Sequence, residues 1–390
     1  MMDSPQGLRT HIGIFGRTNA GKSTLINALT GQDVAIVSDV PGTTTDPVKK
    51  AMELSDLGPV LFIDTPGSGD GSELADERDR RTLDMMRRCD IAIIVATDEE
   101  SLDQEGRRIA WFEKRGIPVV RVQTRTDETD LRLPGCIGVS CVSGDGLSEL
   151  KQKLISCRST MDSRSILAGM VEKGDVVLLV MPQDASAPQG RLILPQVQTL
   201  RELLDTHCIS LCIAPEEMED TISHLNKPPK LIITDSQVFD DVYKKKPADS
   251  MLTSFSVLMA GVKGDIRAFV DGAKALMQLR DGSRVLVAES CTHAPKEEDI
   301  GRVKLPNLIR KKLGIEIDVT VYAGHDYPED VSKYDIILQC GGCMNGRREM
   351  LSRIELAREA GVPITNYGIA IAALNGILDK VVGGTYHEAL

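Results

Sequence analysis

Two groups of residues in this 390-residue chain have types and spacings that could do chemistry. The first is Gly16-Arg17-Thr18-Asn19-Ala20-Gly21-Lys22-Ser23-Thr24. Its glycines let backbone N–H groups curl around phosphate oxygens, and a helix opening at Lys22 adds its positive end. Lys22 is expected to reach the β- and γ-phosphates, and the Ser23 hydroxyl to ligate Mg²⁺. Downstream, Asp64-Thr65-Pro66-Gly67 offers a carboxylate to the magnesium shell and, at Gly67, a backbone amide near the γ-phosphate. Thr44, inside Gly42-Thr43-Thr44-Thr45-Asp46, offers a second hydroxyl to the metal. Thr124-Arg125-Thr126-Asp127 and Ser140-Cys141 follow where a base would lie. The Asp127 carboxylate can accept two hydrogen bonds from guanine that adenine cannot donate. The order predicts GTP hydrolysis, with Lys22, Asp64 and Gly67 catalytic. The nucleotide would lie against Gly16, Asn19, Ala20, Gly21, Lys22, Ser23, Thr24, Thr44, Asp64, Thr124, Arg125, Asp127, Ser140 and Cys141.

The second group is Cys291-Thr292-His293 with Cys340-Gly341-Gly342-Cys343. Each follows an apolar run that reads as a strand. If those strands are parallel, both motifs converge at one sheet edge, where open α/β folds bind ligands. Cys343 also precedes a helix from Arg347, whose positive end favours thiolate. Three chemistries fit the spacing. Three cysteines and His293 could hold zinc, Cys340 and Cys343 could form a redox dithiol, or three thiolates could hold an iron–sulfur cluster with one iron incompletely ligated. The remaining six of nine cysteines, among them Cys208 and Cys212, are expected to fill cores.

The elements that must position these groups are short apolar runs alternating with amphipathic stretches, the pattern of parallel sheets flanked by helices. Strands are expected at 11–15, 60–63, 91–96, 119–122 and 137–139, then at 176–181, 209–213, 231–234 and 254–259, then at 284–288, 317–322 and 336–339. The predicted fold is α/β in three domains, 1–160, 166–260 and 264–390, with a polar linker at 158–165. Apolar residues make up 42%, enough for real cores, while aromatics are only 3%, so Val, Ile, Leu, Ala and Met must build them. The net charge of −11 argues against a protein that coats nucleic acid. No apolar run reaches the ~18 residues of a membrane span, and the first residues lack a signal-peptide pattern. A cytoplasmic protein without nucleic-acid or membrane partners is expected.

The stretches GRTNAGKS, GTTTD and DTPG resemble the TrmE–Era group of GTPases. In that group the loop asparagine, here Asn19, is associated with potassium-stimulated hydrolysis. Two departures stand out. Ser68 follows Gly67, so no side-chain amide orients water there, and Thr124-Arg125 replaces the usual Asn-Lys. The three-part layout ending in CxH and CxxC resembles the HydF family of FeFe-hydrogenase maturation GTPases. The resemblance implies a P-loop GTPase domain, a dimerisation domain and a cluster domain in which Cys291, Cys340 and Cys343 hold a 4Fe-4S cluster. It implies GTP or GDP, Mg²⁺ and K⁺ as further cofactors, a homodimer, and a di-iron precursor as transient cargo. Partners would be two radical-SAM maturases and the apo-hydrogenase. Gln339 stands where the family has histidine, which leaves His293 or an exchangeable group as fourth ligand. The alternative is an RNA-modification or ribosome-assembly GTPase with a Cys₃His structural zinc.

Overall fold

The computed structural model describes residues 7, 9–31, 38–39, 49–54, 57–65, 75–159, 165–167, 169–183, 192–290, 299–324, 327–328, 330–342 and 344–386. Thr44, Gly67, Cys291, His293 and Cys343 lie outside them. The chain forms two compact units, Met1–Ser163 and Arg164–Leu390.

The first unit runs β1 (Thr10–Phe15), α1 (Lys22–Gly31), β2 (Ser38–Asp39), β3 (Lys49–Leu54), β4 (Gly58–Asp64), α2 (Ala75–Arg88), β5 (Ile91–Ala96), α3 (Glu99–Gln104), α4 (Gly106–Lys114), β6 (Val119–Gln123), β7 (Ile137–Gly138) and α5 (Leu147–Ser159). Its sheet has the order β2-β3-β4-β1-β5-β6-β7. β1 is central, buried along its whole length, and parallel to both β4 and β5. Helices cover both faces, so strands such as Ile91-Ala92-Ile93-Ile94-Val95-Ala96 read as unbroken apolar runs. Leu25, Ile26 and Leu29 of α1 join the core with Ile12 and Ile14, while Phe15 and Phe112 fill the other face. The antiparallel β3–β4 hairpin was not expected. Lys49-Lys50-Ala51-Met52-Glu53-Leu54 mixes charges into a strand beside the sheet edge and gives no clear apolar signal.

The second unit contains β8 (Val176–Val180), α6 (Leu194–Asp205), β9 (Ile209–Ile213), α7 (Met218–Ser223), β10 (Leu231–Thr234), α8 (Phe239–Lys245), β11 (Met251–Ser254) and α9 (Phe255–Lys263). It continues with α10 (Ile266–Leu276), β12 (Ser283–Ala288), α11 (Leu305–Leu313), β13 (Ile317–Tyr322), β14 (Ile336–Gln339), α12 (Arg347–Glu359), β15 (Ile364–Asn366), α13 (Tyr367–Leu374) and α14 (Leu378–Tyr386). Two parallel sheets result, β11-β10-β8-β9 and β13-β12-β14-β15. They share one core, in which Leu178 and Val180 belong to the same cluster as Leu286, Ala288 and Ile337.

The segment 254–259, expected as a strand, is a strand only up to Ser254; Phe255 begins α9. The reason is local. The Ser254 hydroxyl caps the helix by accepting from the Val257 N–H at 3.3 Å. A short apolar run cannot by itself distinguish a buried strand from a buried helix. Val257 and Ala260 face the shared core, and Phe255, Leu258 and Met259 face a second cluster. Cys208 is buried as expected, but Cys212 is exposed on β9, an edge strand. Cys89 and Cys157 are buried, and Cys136 and Cys141 are half-buried. Among the described residues no helix is long and apolar enough to cross a membrane.

Candidate functional site

The phosphate loop leaves the carboxyl end of β1 and closes on the first turn of α1. Gly16 has a φ of +150°, and a Cβ there would meet the Val95 carbonyl at 2.4 Å, so only glycine lets the loop turn so close to β5. Gly21 (φ +85°) and Asn19 (φ +64°) supply the remaining left-handed positions. The Lys22 ammonium folds over the loop and donates to the carbonyls of Gly16 at 3.0 Å and Arg17 at 2.8 Å. Burial pushes its pKa down, while the Asp64 and Glu105 carboxylates oppose that shift.

Ser23 Oγ donates to Asp64 Oδ2 at 2.6 Å, which brings together the two side chains expected around magnesium. The second oxygen, Asp64 Oδ1, is buried without a hydrogen-bond partner. A hydroxyl oxygen against a carboxylate with an unpaired oxygen suits a hard cation. Ser23 and Asp64 would hold Mg²⁺, which would neutralise phosphate charge.

The base-recognition segments follow β6 and β7. Thr124, fully buried, donates from Oγ1 to the Ala20 carbonyl at 2.7 Å, and Arg125 Nη2 donates to the Asn19 carbonyl at 2.9 Å. The departure from Asn-Lys thus keeps two ties to the phosphate loop. Arg125 itself sits at φ +59°. Asp127 is exposed. It lies near Cys141, whose thiol is pushed up by burial first and by this carboxylate second. Ser140 Oγ accepts from the Val142 and Ser143 N–H groups at 3.3 and 3.1 Å, which fixes the last turn. Arg17, Thr18, Asn19, Ala20, Thr97 and Arg125 line a cleft of about 400 Å³. Thr124→Ala, which frees the Ala20 carbonyl, is expected to cost about 1 kcal/mol of stability and to weaken GDP binding. Calorimetry and thermal unfolding check both; unchanged affinity would detach Thr124 from the site.

In the second unit β12 and β14 are adjacent and parallel, with Ala288 opposite Gln339. The residues after both strands therefore emerge side by side. The Ser290 N–H donates to Cys340 Sγ at 3.1 Å, and Ser290 Oγ lies 3.0 Å from the same sulfur. Ser290 directly precedes Cys291 in the chain. The sulfur is thus an acceptor, as a metal-bound thiolate would be, and the donor set fits a thiophilic metal group. Among the described residues no group of three or more metal-ligating side chains occurs.

Gln339 is fully buried. Its Oε1 accepts from Arg353 Nη1 at 3.1 Å, and its Nε2 donates to the Ala288 carbonyl at 3.2 Å. The amide oxygen is engaged by a guanidinium, so the side chain acts as a brace inside the fold. Arg353 is held in turn by Glu349 Oε1 at 3.1 Å and the Gly324 carbonyl at 2.9 Å. A half-buried ion pair, Arg302 Nη2 to Glu289 Oε2 at 2.7 Å, joins the residue after β12 to the turn before α11. Sequence reasoning missed Ser290, Arg353, Glu289 and Arg302. Glu289 and Ser290 carried one signal, polar residues directly after a strand end, whereas Arg302 and Arg353 lie in helical segments and carried none.

A phosphate loop on a mostly parallel sheet, with Ser23 on Asp64, defines a P-loop GTPase domain, here followed by two further parallel sheets. Residues 11–125 match the 50S ribosome-binding GTPase model, 166–264 the hydrogen maturase F dimerization domain and 267–383 the hydrogen maturase F tetramerization domain. The last two together span more than half of the chain, and the chain belongs to the hydrogen maturase F family, GTPases of hydrogenase maturation. The tetramerization match, over a region read from sequence as a cluster domain, adds an oligomerisation role that the sequence reading lacked.

Among curated relatives, tRNA modification GTPase MnmE of Methylorubrum populi is 38% identical over 140 residues, covering 35% of this chain and 30% of that protein. GTPase Der of Kosmotoga olearia is 31% identical over 176 residues, covering 39% and 40%. The chain thus spans well under half the length of these relatives. The G domain of the T. maritima FeoB iron transporter is 27% identical, covering 38% of this chain and 99% of that chain, with a TM-score of 0.31.

Proposed function

We propose that the protein is a GTP-hydrolysing scaffold of FeFe-hydrogenase maturation that binds a 4Fe-4S cluster through Cys291, Cys340 and Cys343. The observation that carries the reading is Ser290 on the Cys340 sulfur, which joins the flanks of two cysteine motifs separated by 46 residues in the sequence. His293, or an exchangeable small ligand, completes the fourth iron. When bound, the cluster supplies an iron with a replaceable position for precursor attachment. Cys291, Cys340 and Cys343 would hold it beyond the carboxyl ends of β12 and β14, where Gln339 and Arg353 brace the fold. Two radical-SAM maturases would supply the di-iron precursor and apo-hydrogenase would receive it, all in the cytoplasm. The domains would run 1–160, 166–260 and 264–390.

The GTPase domain would use Lys22 on the phosphates, Ser23, Asp64 and Thr44 at Mg²⁺, the Gly67 amide at the γ-phosphate, and Asn19 at K⁺. A monovalent cation there would neutralise charge that develops on transfer, as an arginine finger does. Steady-state hydrolysis of GTP and ATP in potassium and in sodium tests this. GTP preference with potassium stimulation is expected; indifference to nucleotide and cation would defeat it. The zinc alternative has no comparable support, because both matches beyond the GTPase domain are to hydrogen maturase F.

For the homodimer, β9 is the favoured seam. It is an edge strand with Ile209 53% exposed, whereas the opposite edge strand, β11, packs against α14. The Ile209 N–H points inward, to the Asp175 carbonyl at 2.8 Å. Alternation along a parallel strand then turns the Ser210 and Cys212 N–H groups outward. Cys212→Pro removes an outward donor and spares the inner ladder. Light scattering should show a smaller assembly with an intact GTPase rate; an unchanged mass would move the seam elsewhere.

A further inference from the structure

The second unit repeats one pattern twice. Taken in chain order, β8 to β11 stand 4-3-1-2 across their sheet, and β12 to β15 stand in the same order across theirs. Every pairing in both sheets is parallel. The bonds to the outer strand repeat as well. The Ile213 carbonyl accepts from the Met181 N–H at 2.9 Å, and the Tyr322 carbonyl from the Glu289 N–H at 2.8 Å. His207 and Glu316 likewise accept from Gly174 and Gly282, both at positive φ. Each fourth strand ends on the cap of the helix that follows it directly, Ser254 for Val257 and Asn366 for Ile369. In the sequence, Gly190-Arg191-Leu192-Ile193-Leu194-Pro195 shares its glycine, arginine, leucine and proline with Gly301-Arg302-Val303-Lys304-Leu305-Pro306.

The two copies meet about an internal two-fold. Ser256 and Gly368, each two residues past its cap, touch, and a Cβ at Gly368 would lie 2.3 Å from Ser256 Cβ. α10 follows α9 as α14 follows α13, and each packs on the other copy's fourth strand, α10 on β15 and α14 on β11. Reciprocal contact of this kind is what two-fold symmetry produces. It covers both fourth-strand edges with helices. The second strands, β9 and β13, are the other two edges, and among the described residues no strand pairs with the outer side of either.

We infer that β13 is a second assembly seam, the internal counterpart of β9, and pairs antiparallel with β13 of a second copy of this chain. It lies inside the region matched as a tetramerization domain, as β9 lies inside the one matched as a dimerization domain. Because the Tyr322 carbonyl points to β12, alternation turns the backbone groups of Val319 and Val321 outward. Pairing centred on Thr320 sets Val319 opposite Val321 of the second copy, so that each pair exchanges both backbone hydrogen bonds. Asp318, the one charge on the strand, then falls opposite Tyr322 and not opposite its own mate. A second copy is the occupant because two self-complementary seams per chain build dimers into a closed tetramer. The inference rests on the homodimer reading of β9 above, and the test separates the two.

The test is light scattering of full-length wild type, Val321→Pro, Thr320→Asp and Cys212→Pro, with circular dichroism and GTPase rate as folding controls. Val321→Pro removes an outward donor and spares the ladder to β12. Thr320→Asp sets like charges directly opposite each other, which destabilises the pair. Thr320 is exposed, so this variant carries the test if Val321→Pro does not fold. Wild type is expected as a tetramer, either β13 variant as a dimer, and Val321→Pro combined with Cys212→Pro as a monomer. Wild-type mass in both β13 variants overturns the inference. A monomer from Val321→Pro alone overturns it too, since β13 would then meet β9 of the next chain. Dimers from the β13 variants beside an unchanged Cys212→Pro uphold the β13 seam and defeat only the β9 reading.

Discussion

Lys22→Ala is expected to lower kcat/KM for GTP by about 100- to 1,000-fold, the usual cost of removing one group that stabilises transferring charge. The structure explains why no neighbour can substitute. The Lys22 ammonium is held over the loop by the Gly16 and Arg17 carbonyls, poised at the phosphate position. Among the described residues the other basic groups near Lys22 are directed elsewhere, Arg125 to the Asn19 carbonyl, Arg17 toward Glu100 at 3.7 Å and Arg108 to Glu105 at 2.7 Å. Ser23→Ala should lose comparable activity by a different route. It removes the hydroxyl that touches Asp64 and leaves that carboxylate with neither oxygen paired by Ser23. Raised magnesium should partly restore Ser23→Ala and leave Lys22→Ala unchanged. Wild-type turnover in either variant would remove that residue from the catalytic site.

Cys340→Ser is expected to strip most of the iron and sulfide from anaerobically reconstituted protein and to abolish the broad absorption near ~400 nm of thiolate-bound iron. Serine keeps the size of the side chain and its contact with Ser290, so a folding defect is not the expected outcome. Cys291→Ser and Cys343→Ser should behave alike. Gln339→Ala is the informative contrast. It deprives the Arg353 guanidinium of an acceptor in a buried setting, which should cost about 1–3 kcal/mol. Yet the iron and sulfide content should stay near wild type, because the amide oxygen faces arginine. His293→Ala should retain the cluster with an altered spectrum. Loss of cluster in Gln339→Ala at a temperature where the protein stays folded would reverse the ligand argument.

The phosphate loop was legible in the sequence because its parts are local. Gly16 to Thr24 is one turn between a strand and a helix, and its chemistry depends on neighbours in the chain. The parallel sheets were legible for a related reason: strands buried on both faces, such as β5, β8 and β14, are nearly pure apolar runs. α9 was not, since the Ser254 cap and the two cores that bury its faces are tertiary facts. The surroundings of the cysteines were hidden for the same reason. Lys263 meets Gly342 across 79 positions, and Ser290 meets Cys340 across 50. Spacing could announce that the chain emerges side by side after β12 and β14, but not which polar groups brace it there. Gln339 shows the limit from the other side. The family resemblance marks it as a departure from histidine, and its hydrogen bonds define it as part of a buried brace with Arg353 and Glu349.

The most direct test of the central proposal is metal and sulfide analysis of the full-length protein purified without oxygen. About four irons and an equal amount of acid-labile sulfide per chain, lost together in Cys340→Ser, are the expected result. Stoichiometric zinc with no sulfide would contradict it.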